Sequence, residues 1–504
     1  MTNTNTVQLF ERAAGFADRK AVFASEGDFT YQQLLDASGR VGATLLDGAA
    51  DLEETRVAFL VPPGFDYVAT QWGIWRAGGI AVPLAVSHPR PELEYTITDS
   101  DAAIVVAHPQ YEERLRPVTE DLNRKFILTT DLLATPPTEL PTIDSSRRAM
   151  ILYTSGTTGK PKGVVSTHDN IQAQVTALIS AWGWRQDDHI LHVLPLHHTH
   201  GIINVLTCAL WSGAVCEMLP GFKADDVWQR FIDSDLTLFM AVPTIYNRLI
   251  AAWEAASPEE KEAMAEACAK FRLMVSGSAA LPVSVLEQWE GISGQRLLER
   301  YGMTEIGMAL SNPLDGERVP GFVGAPLPAV DIRLVDDQGQ VVTEDSIPGE
   351  IQVKGPNVFM EYWRRPEATA EAFQDGWFQT GDTALRENGI YRILGRNSVD
   401  IIKTGGYKVS ALEIEETLRT HPNIQECAVV GVPDDKWGES VCVAIVFKHD
   451  RELTLEELRD WAKERLAPYK VPSHMQPVED LPRNAMGKVT KPEVKKLFSP
   501  PADS

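Results

Sequence analysis

The sequence predicts an α/β fold: a large amino-terminal region, a β-rich section after it, and a smaller carboxy-terminal piece with helices and strands of its own. Three observations predict it. Across the first half, apolar runs of strand length alternate with amphipathic stretches of helix length. From about residue 331 the runs shorten and turn signals break them, as in DIRLVDDQGQVV and GWFQTGDTALRENGIYRILG. From Arg396 onward 16 basic residues face 18 acidic ones, so nearly all of the formal charge of −23 lies before that point.

In chain order, residues 56–61 (RVAFLV) read as a strand, residues 65–77 as a helix closed by Gly78 and Gly79, and residues 80–84 (IAVPL) as the next strand. Residues 189–196, 214–219, 236–242 and 271–276 read as further buried strands. The section from 331 suits antiparallel hairpins. In the last hundred residues Ser410 with Glu413, and Thr454 with Glu457, each have the spacing of a capping box, and the strand-like runs 427–432 and 441–447 lie between those helix starts. The expected division is residues 1–394 with a β-rich subdomain over about 320–394, a short hinge at 395–403, and a separate unit at 404–504. A chain of 504 residues with 44% hydrophobic content can build two or more cores.

The acidic field repels nucleic acid and anionic lipid, which excludes general polyanion binding. The five cysteines form no CxxC pair and read as reduced core residues. The start lacks a basic segment leading into an apolar core, and the longest apolar stretch, 201–215, falls short of the ~20 residues that span a bilayer, so the expectation is a cytoplasmic protein without membrane insertion.

The chemistry begins at Tyr153-Thr-Ser-Gly-Thr-Thr-Gly-Lys-Pro-Lys-Gly163. Thr154, Ser155, Gly156, Thr157, Thr158 and Gly159 combine hydroxyl donors with glycines that let backbone amides approach a polyphosphate, and Lys162 adds charge. It is not the common nucleotide-binding P-loop, since Gly156 and Gly159 stand too close and Pro161 follows Lys160. An ordinary kinase or GTPase is disfavoured.

Further motifs follow in order: Ser276-Gly-Ser-Ala-Ala280, Tyr301-Gly-Met-Thr-Glu305, Thr380-Gly-Asp382, Gly395-Arg396, Gly405-Gly-Tyr-Lys-Val409 and Pro482-Arg-Asn-Ala-Met-Gly-Lys488. Together with the phosphate loop they resemble the adenylate-forming enzymes, the group of acyl-CoA synthetases, firefly luciferase and peptide-synthetase adenylation domains. The resemblance covers nearly the whole chain. It implies a large amino-terminal domain of α/β sheets with a β-barrel-like subdomain, a small mobile α+β lid after Arg396, and an enzyme that converts an acid and ATP to acyl-AMP and then to acyl-CoA.

The resemblance also implies roles. Thr154 to Gly159, Lys162, Ser278, Ala279, Ala280, Glu299, Tyr301, Gly302, Met303 and Thr304 would line the ATP/AMP site, with Asp382 on the ribose and Arg396 nearby. Glu305 would carry Mg2+, a hard cation that takes oxygen ligands. Lys488 would reach the carboxylate and α-phosphate, making Lys488, Thr304 and Glu305 the catalytic set. The lid would then swing to present Gly405, Gly406 and Tyr407, with Lys436 and Trp437, to coenzyme A. One extra residue before the Gly-Gly-Tyr turn leaves Ser398 and Asp400 both open as hinge. Lys488, Lys491, Lys495 and Lys496 could attract CoA phosphates or form a solvated face.

Arg300 sets the expected acid, because the resemblance implies that the position just before the 301–305 motif adjoins the acyl pocket. A guanidinium beside an acyl pocket offers two parallel donors to a carboxylate, and its burial is costly unless an anion arrives. That points to a dicarboxylic acid, and the strings 299–305, 311–313 and 318–324 resemble malonyl-CoA synthetases. His198, His200 and Ser276 are expected to complete the acid site, a metal at the histidines being the weaker alternative. A structural Arg300 paired with Glu299 or Glu305 would leave a medium- or long-chain or aryl-CoA synthetase open. An adenylation enzyme loading a carrier protein is the other alternative, although no carrier motif follows Lys488.

Overall fold

The computed structural model describes residues 6–154, 160–405, 407–434, 437–448, 453–483 and 488–498. Two large sheets build the amino-terminal region. The first has nine strands, in the order Ala325–Pro326, Gly307–Ser311, Leu298–Met303, Leu273–Ser276, Leu238–Ala241, His189–His192, Val215–Met218, Lys20–Ala24 and Gly27–Thr30. The second has seven, in the order Glu361–Tyr362, Lys162–Thr167, Arg148–Thr154, Ile80–Pro83, Arg56–Leu60, Ile104–Ala107 and Lys125–Leu128. Their central strands pair in parallel. Parallel strands are covered on both faces, which is why these segments read as unbroken apolar runs rather than alternating ones.

The expected strands of the two large sheets form but are shorter. The run at 189–196 pairs only over His189–His192, because the chain turns towards Pro195, which has no amide to donate to a ladder. The helix expected at 65–77 runs Phe65–Arg76, and Gly78 follows at φ +81°, a conformation that favours glycine. The segment that ruled out a membrane span is a buried π-helix, His200–Thr207, continued by Cys208–Ser212. Among the described residues no helix is long and apolar enough to cross a membrane. All five cysteines are free and buried.

A third, antiparallel sheet joins Val341–Val342, Asp331–Val335, Gly349–Lys354, Trp377–Glu387 and Phe373–Gln374, with Ile390–Arg396 also on Trp377–Glu387. A fourth contains Tyr407–Ser410, Ile401–Thr404, Gly438–Phe447 and Ile424–Asp434, with His474–Pro477 on Gly438–Phe447. The fourth sheet and its helices enclose a hydrophobic cluster drawn only from residues after Ile401. Four residues, 397–400, separate the last strand of the third sheet from the first of the fourth.

Two expectations need correction here. The helix Leu455–Lys463 has a full capping box, whereas the helix Ala411–Arg419 has only half of one: Ser410 caps the Glu413 amide, but Glu413 turns its carboxylate to Lys470 Nζ at 2.5 Å. An ion pair displaces the weaker reciprocal bond. Nor do all the tail lysines lie on a solvated face: Lys496 is exposed and Lys495 partly so, whereas the Lys491 side chain is largely buried. Lys495 and Lys496 lie beside Glu439 and Glu493, and Lys491 is buried between Asp400 at 2.8 Å and Glu415 at 2.7 Å. Asp400 also accepts a hydrogen bond from the Arg396 amide at 3.0 Å, so Lys491 ties the connecting turn to the carboxy-terminal unit. Lys491→Met is expected to destabilise the fold by about 3 kcal/mol, the low end for breaking a buried pair because Glu415 keeps Arg419. Urea unfolding followed by tryptophan fluorescence measures it.

Candidate active site

The site lies at the carboxyl ends of the strands Leu273–Ser276 and Leu298–Met303, where an α/β sheet opens a crevice. Beyond the first strand the chain passes Gly277 and Ser278, and Ser278 adopts φ +70°. A serine held in that region costs on the order of 1–3 kcal/mol, which the contacts around it offset. Arg300 Nη2 donates to Ser278 Oγ at 3.0 Å, and Ser278 Oγ meets His200 Nδ1 at 3.2 Å. His200 is fully buried and its pKa is pushed well down, first by burial and then by Arg300, so the imidazole is neutral. In the tautomer with the ring hydrogen on Nε2, His200 Nδ1 accepts from the Ser278 hydroxyl, which itself accepts from Arg300.

Arg300 is 3% exposed, and among the described residues no carboxylate lies within ion-pair distance of it. The pairing with Glu299 or Glu305 that would have made it structural does not form. Glu299 turns its carboxylate to the Leu281 amide at 3.2 Å, and burial pushes its pKa up to about 8. Glu305 accepts from the Tyr362 hydroxyl at 2.9 Å. Burial also brings the Arg300 pKa down to about 9, leaving it charged at neutral pH. Arg300 Nε, His200 Nε2, His198 Nε2 and Ser276 Oγ are buried with no hydrogen-bond partner among the described residues. Buried polar groups are nearly always bonded, and so many together mark a place prepared for an anion.

Gly277 belongs to this site and the sequence reading passed over it. A Cβ there would sit 2.6 Å from Arg300 Cζ and Nε, so the guanidinium rests on bare backbone. Gly277→Ala is expected to push the guanidinium aside and lower kcat/KM for a dicarboxylic acid by about 10- to 100-fold, with a monocarboxylic acid little affected. Steady-state kinetics on the two acids checks it.

On the nucleotide side, Tyr301 is fixed by its hydroxyl, which donates to Asp382 Oδ2 at 2.6 Å, while Arg396 Nε lies 3.1 Å from Asp382 Oδ1. Thr380 supports this turn by donating to the Ile351 carbonyl and accepting from the Asp382 amide. Thr154 ends its strand and Lys162 begins the next, so the two bracket the phosphate-loop segment. Lys162 Nζ stands 4.8 Å from the centre of the Tyr362 ring, beside Glu305. Tyr362 is thus a second residue the sequence reading missed; it stands outside every recognised motif. Ala279 and Ala280 are exposed, and Gly302, Met303 and Thr304 are partly so, along the rim.

Glu305 is buried, and burial raises its pKa against the Tyr362 hydroxyl and the field of Arg396, which lower it. Glu305 offers a hard oxygen donor of the kind Mg2+ takes, and among the described residues no three His, Cys, Asp or Glu group together as a metal site. The same absence disfavours a metal at the histidines, where His197 and His198 pack ring to ring at 4.0 Å and burial holds both below their ordinary pKa.

The carboxy-terminal unit reaches into this crevice. Glu416 accepts from the Val283 amide at 2.8 Å, and the Lys488 ammonium lies within the fields of Arg300, Arg396 and Asp382. Gly405, Tyr407 and Trp437 are placed elsewhere, on the outer surface. Tyr407 and Trp437 are 54% and 52% exposed, Tyr407 stacks on Tyr469 at 4.2 Å, and the Gly405 amide donates to the Trp437 carbonyl. Ser155, Gly156, Thr157, Thr158, Gly159, Gly406 and Lys436 lie outside the described residues.

Residues 9–363 match the model of the AMP-binding enzyme family, and residues 413–488 match that of the AMP-binding enzyme C-terminal domain. The chain belongs to the AMP-binding enzyme family. Within that family it is 47% identical to the mitochondrial malonate–CoA ligase ACSF3 of Mus musculus, over 98% of this chain and 91% of that protein. ATP-bound MatB from Rhodopseudomonas palustris matches with a TM-score of 0.90 at 34% identity, over 98% of this chain and 99% of that one. Apo MatB from the same organism matches over the same shares at 34% identity with a TM-score of 0.81. The arrangement of this AMP-binding enzyme is therefore nearer the nucleotide-bound form of that relative, in keeping with Lys488 facing the crevice.

Proposed function

We propose that the chain is an ATP-dependent malonate–CoA ligase, forming malonyl-AMP with release of pyrophosphate and then malonyl-CoA with release of AMP. The observation that carries the choice of acid is Arg300: a buried cation with no carboxylate partner among the described residues, ringed by unengaged Nε, imidazole and hydroxyl groups. One carboxylate of malonate would accept from Arg300 Nε and His200 Nε2. The other is then presented to the nucleotide. The names of relatives at 47% and 42% identity, all malonate–CoA ligases, favour the same acid.

Tyr301 would stack on adenine, Asp382 would receive the ribose hydroxyls, and Thr154, Lys162 and the segment between them would hold the phosphates. Glu305 would hold Mg2+, which when bound offsets phosphate charge. The malonate carboxylate attacks the α-phosphorus and the bond to the pyrophosphate oxygen breaks, while Lys488 and Arg396 supply positive potential to the crowded oxygens. Coenzyme A then attacks the acyl carbon through sulfur and AMP leaves. No protein nucleophile is required, and burial pushes the cysteine thiols up, out of the reactive range.

The second step needs a different arrangement. Residues 397–400 would serve as the hinge, with Ser398, exposed, as the moving position and Asp400 held to the carboxy-terminal unit by Lys491. Rotation would withdraw Lys488 and bring Gly405, Gly406, Tyr407, Lys436 and Trp437 to the acyl-AMP.

AMP release by the purified protein with ATP, magnesium and CoA, across malonate, methylmalonate, acetate, octanoate and benzoate, tests the assignment. Strong CoA-dependent turnover of malonate is expected; preferred turnover of octanoate or benzoate would overturn the choice of acid.

A further inference from the structure

The π-helix His200–Thr207 carries one polar residue that the site has not accounted for. Asn204 is 0% exposed, yet neither its Oδ1 nor its Nδ2 has a hydrogen-bond partner among the described residues. Its neighbours on the helix, Ile202, Ile203, Val205 and Leu206, are apolar and buried in the core. A buried amide with both halves unengaged is a standing cost to a fold, and native structures carry few of them.

Helix geometry says where that amide stands. A π-helix makes a turn in roughly four and a half residues, so position i+4 returns to nearly the same face as position i, one turn on. The residue four before Asn204 is His200, whose Nδ1 meets Ser278, which in turn holds Arg300. The start of the helix is anchored by His192, whose Nε2 meets the Gly201 carbonyl at 3.1 Å, and Thr207 Oγ1 donates to the Ile202 carbonyl five residues back at 2.6 Å. Asn204 is thereby held on the face that His200 presents to the acid pocket, one turn deeper. Short π segments within helices recur at functional sites because they re-aim side chains in this way.

We propose that Asn204 is a specificity-determining residue of the acid pocket, its Nδ2 donating to the distal carboxylate of the dicarboxylic substrate. The unengaged groups then complement one another. Arg300 Nε and Asn204 Nδ2 are donors, His200 Nε2 is one in the tautomer whose Nδ1 accepts from Ser278, and a carboxylate has acceptor sites for all three. A monocarboxylic acid brings a methyl group to the same place and leaves every donor unsatisfied, which discriminates strongly against it. The inference rests on the malonate reading and names a residue that reading does not need.

Asn204→Leu, with the same number and branching of side-chain heavy atoms, is the test. With the amide engaged only by substrate, the variant is expected to melt at the native temperature or above it. Its KM for malonate should rise about 10- to 100-fold, with KM for ATP and the turnover of propionate unchanged or improved. Should that variant fail to fold, Asn204→Asp carries the test by placing a second anion against the distal carboxylate, with the same selective loss of malonate expected. A lowered melting temperature with an unmoved malonate KM, or equal losses for malonate and propionate, would overturn the proposal in favour of a packing role. Native protein that prefers octanoate or benzoate would overturn the malonate reading along with it, whereas native preference for malonate that both variants retain would overturn this inference alone.

Discussion

Replacing Lys488 by alanine is expected to lower the rate of adenylate formation by about 10²- to 10³-fold, the effect of removing one preorganised charge donor from a transition state, while thioester formation from supplied malonyl-AMP is largely spared. The loop that carries this lysine is closed at its base by a bridge between Arg483 and Val489 and by the Thr490 amide donating to the Pro482 carbonyl. Arg483 is further tied to Glu426 at 2.5 Å. Lys488 thus projects from a braced stem into a crevice that already holds Arg300 and Arg396. Burial first, and then those two cations, bring its pKa down to about 8, with Asp382 opposing. The protonated form supplies the positive potential, so it is present below that value and lost as pH rises through it. The kcat/KM for adenylation, which reports the free enzyme, should therefore fall on an alkaline limb near pH 8, and Lys488→Arg should move that limb upward. Pyrophosphate exchange measures the first half-reaction and CoA consumption with pre-formed malonyl-AMP the second. Equal loss in both would refute the two-arrangement account.

Arg300→Ala is expected to lower kcat/KM for malonate by about 10²- to 10³-fold, because truncating one member of a buried, hydrogen-bonded charge pair costs ~2–5 kcal/mol. Propionate turnover should change little, so the ratio between the two acids collapses. Arg300→Lys should not restore it: an ammonium cannot both donate to Ser278 and turn a second parallel donor to the carboxylate, and it would lie differently on Gly277. Initial rates with both acids across the three proteins decide the matter, and a malonate preference that survives in Arg300→Ala would return Arg300 to a structural role.

The acid site was legible to different depths. Arg300 stood out because the resemblance sets the residue before the 301–305 motif against the acyl pocket, where many relatives carry a small or uncharged side chain. That it forms no ion pair with Glu299 or Glu305 was not legible: all three lie within seven residues, and only the turn of Glu299 to Leu281 and of Glu305 to Tyr362 takes their carboxylates out of pairing distance. Asn204 carried a signal, a lone amide within an apolar run, but its side depends on a π-helical register that no sequence periodicity announces. Gly277 stood inside the recognised motif 276–280 but acts by what it lacks, and Tyr362 carried no signal, since it acts from a strand in the other large sheet.

What the sequence determined by itself was local and repetitive. Apolar runs marked parallel strands because such strands bury both faces, glycine marked the end of a helix because few other residues accept φ near +81° at that position, and the ordered motifs marked the chemistry. Tertiary structure decided whatever depends on which charges meet. It paired Lys491 with Asp400 and Glu415, took Glu413 from its cap to Lys470, and left Arg300 facing unengaged donors beside Lys488. Coulomb interaction and desolvation depend on distances through space and on burial, and neither follows from spacing along the chain.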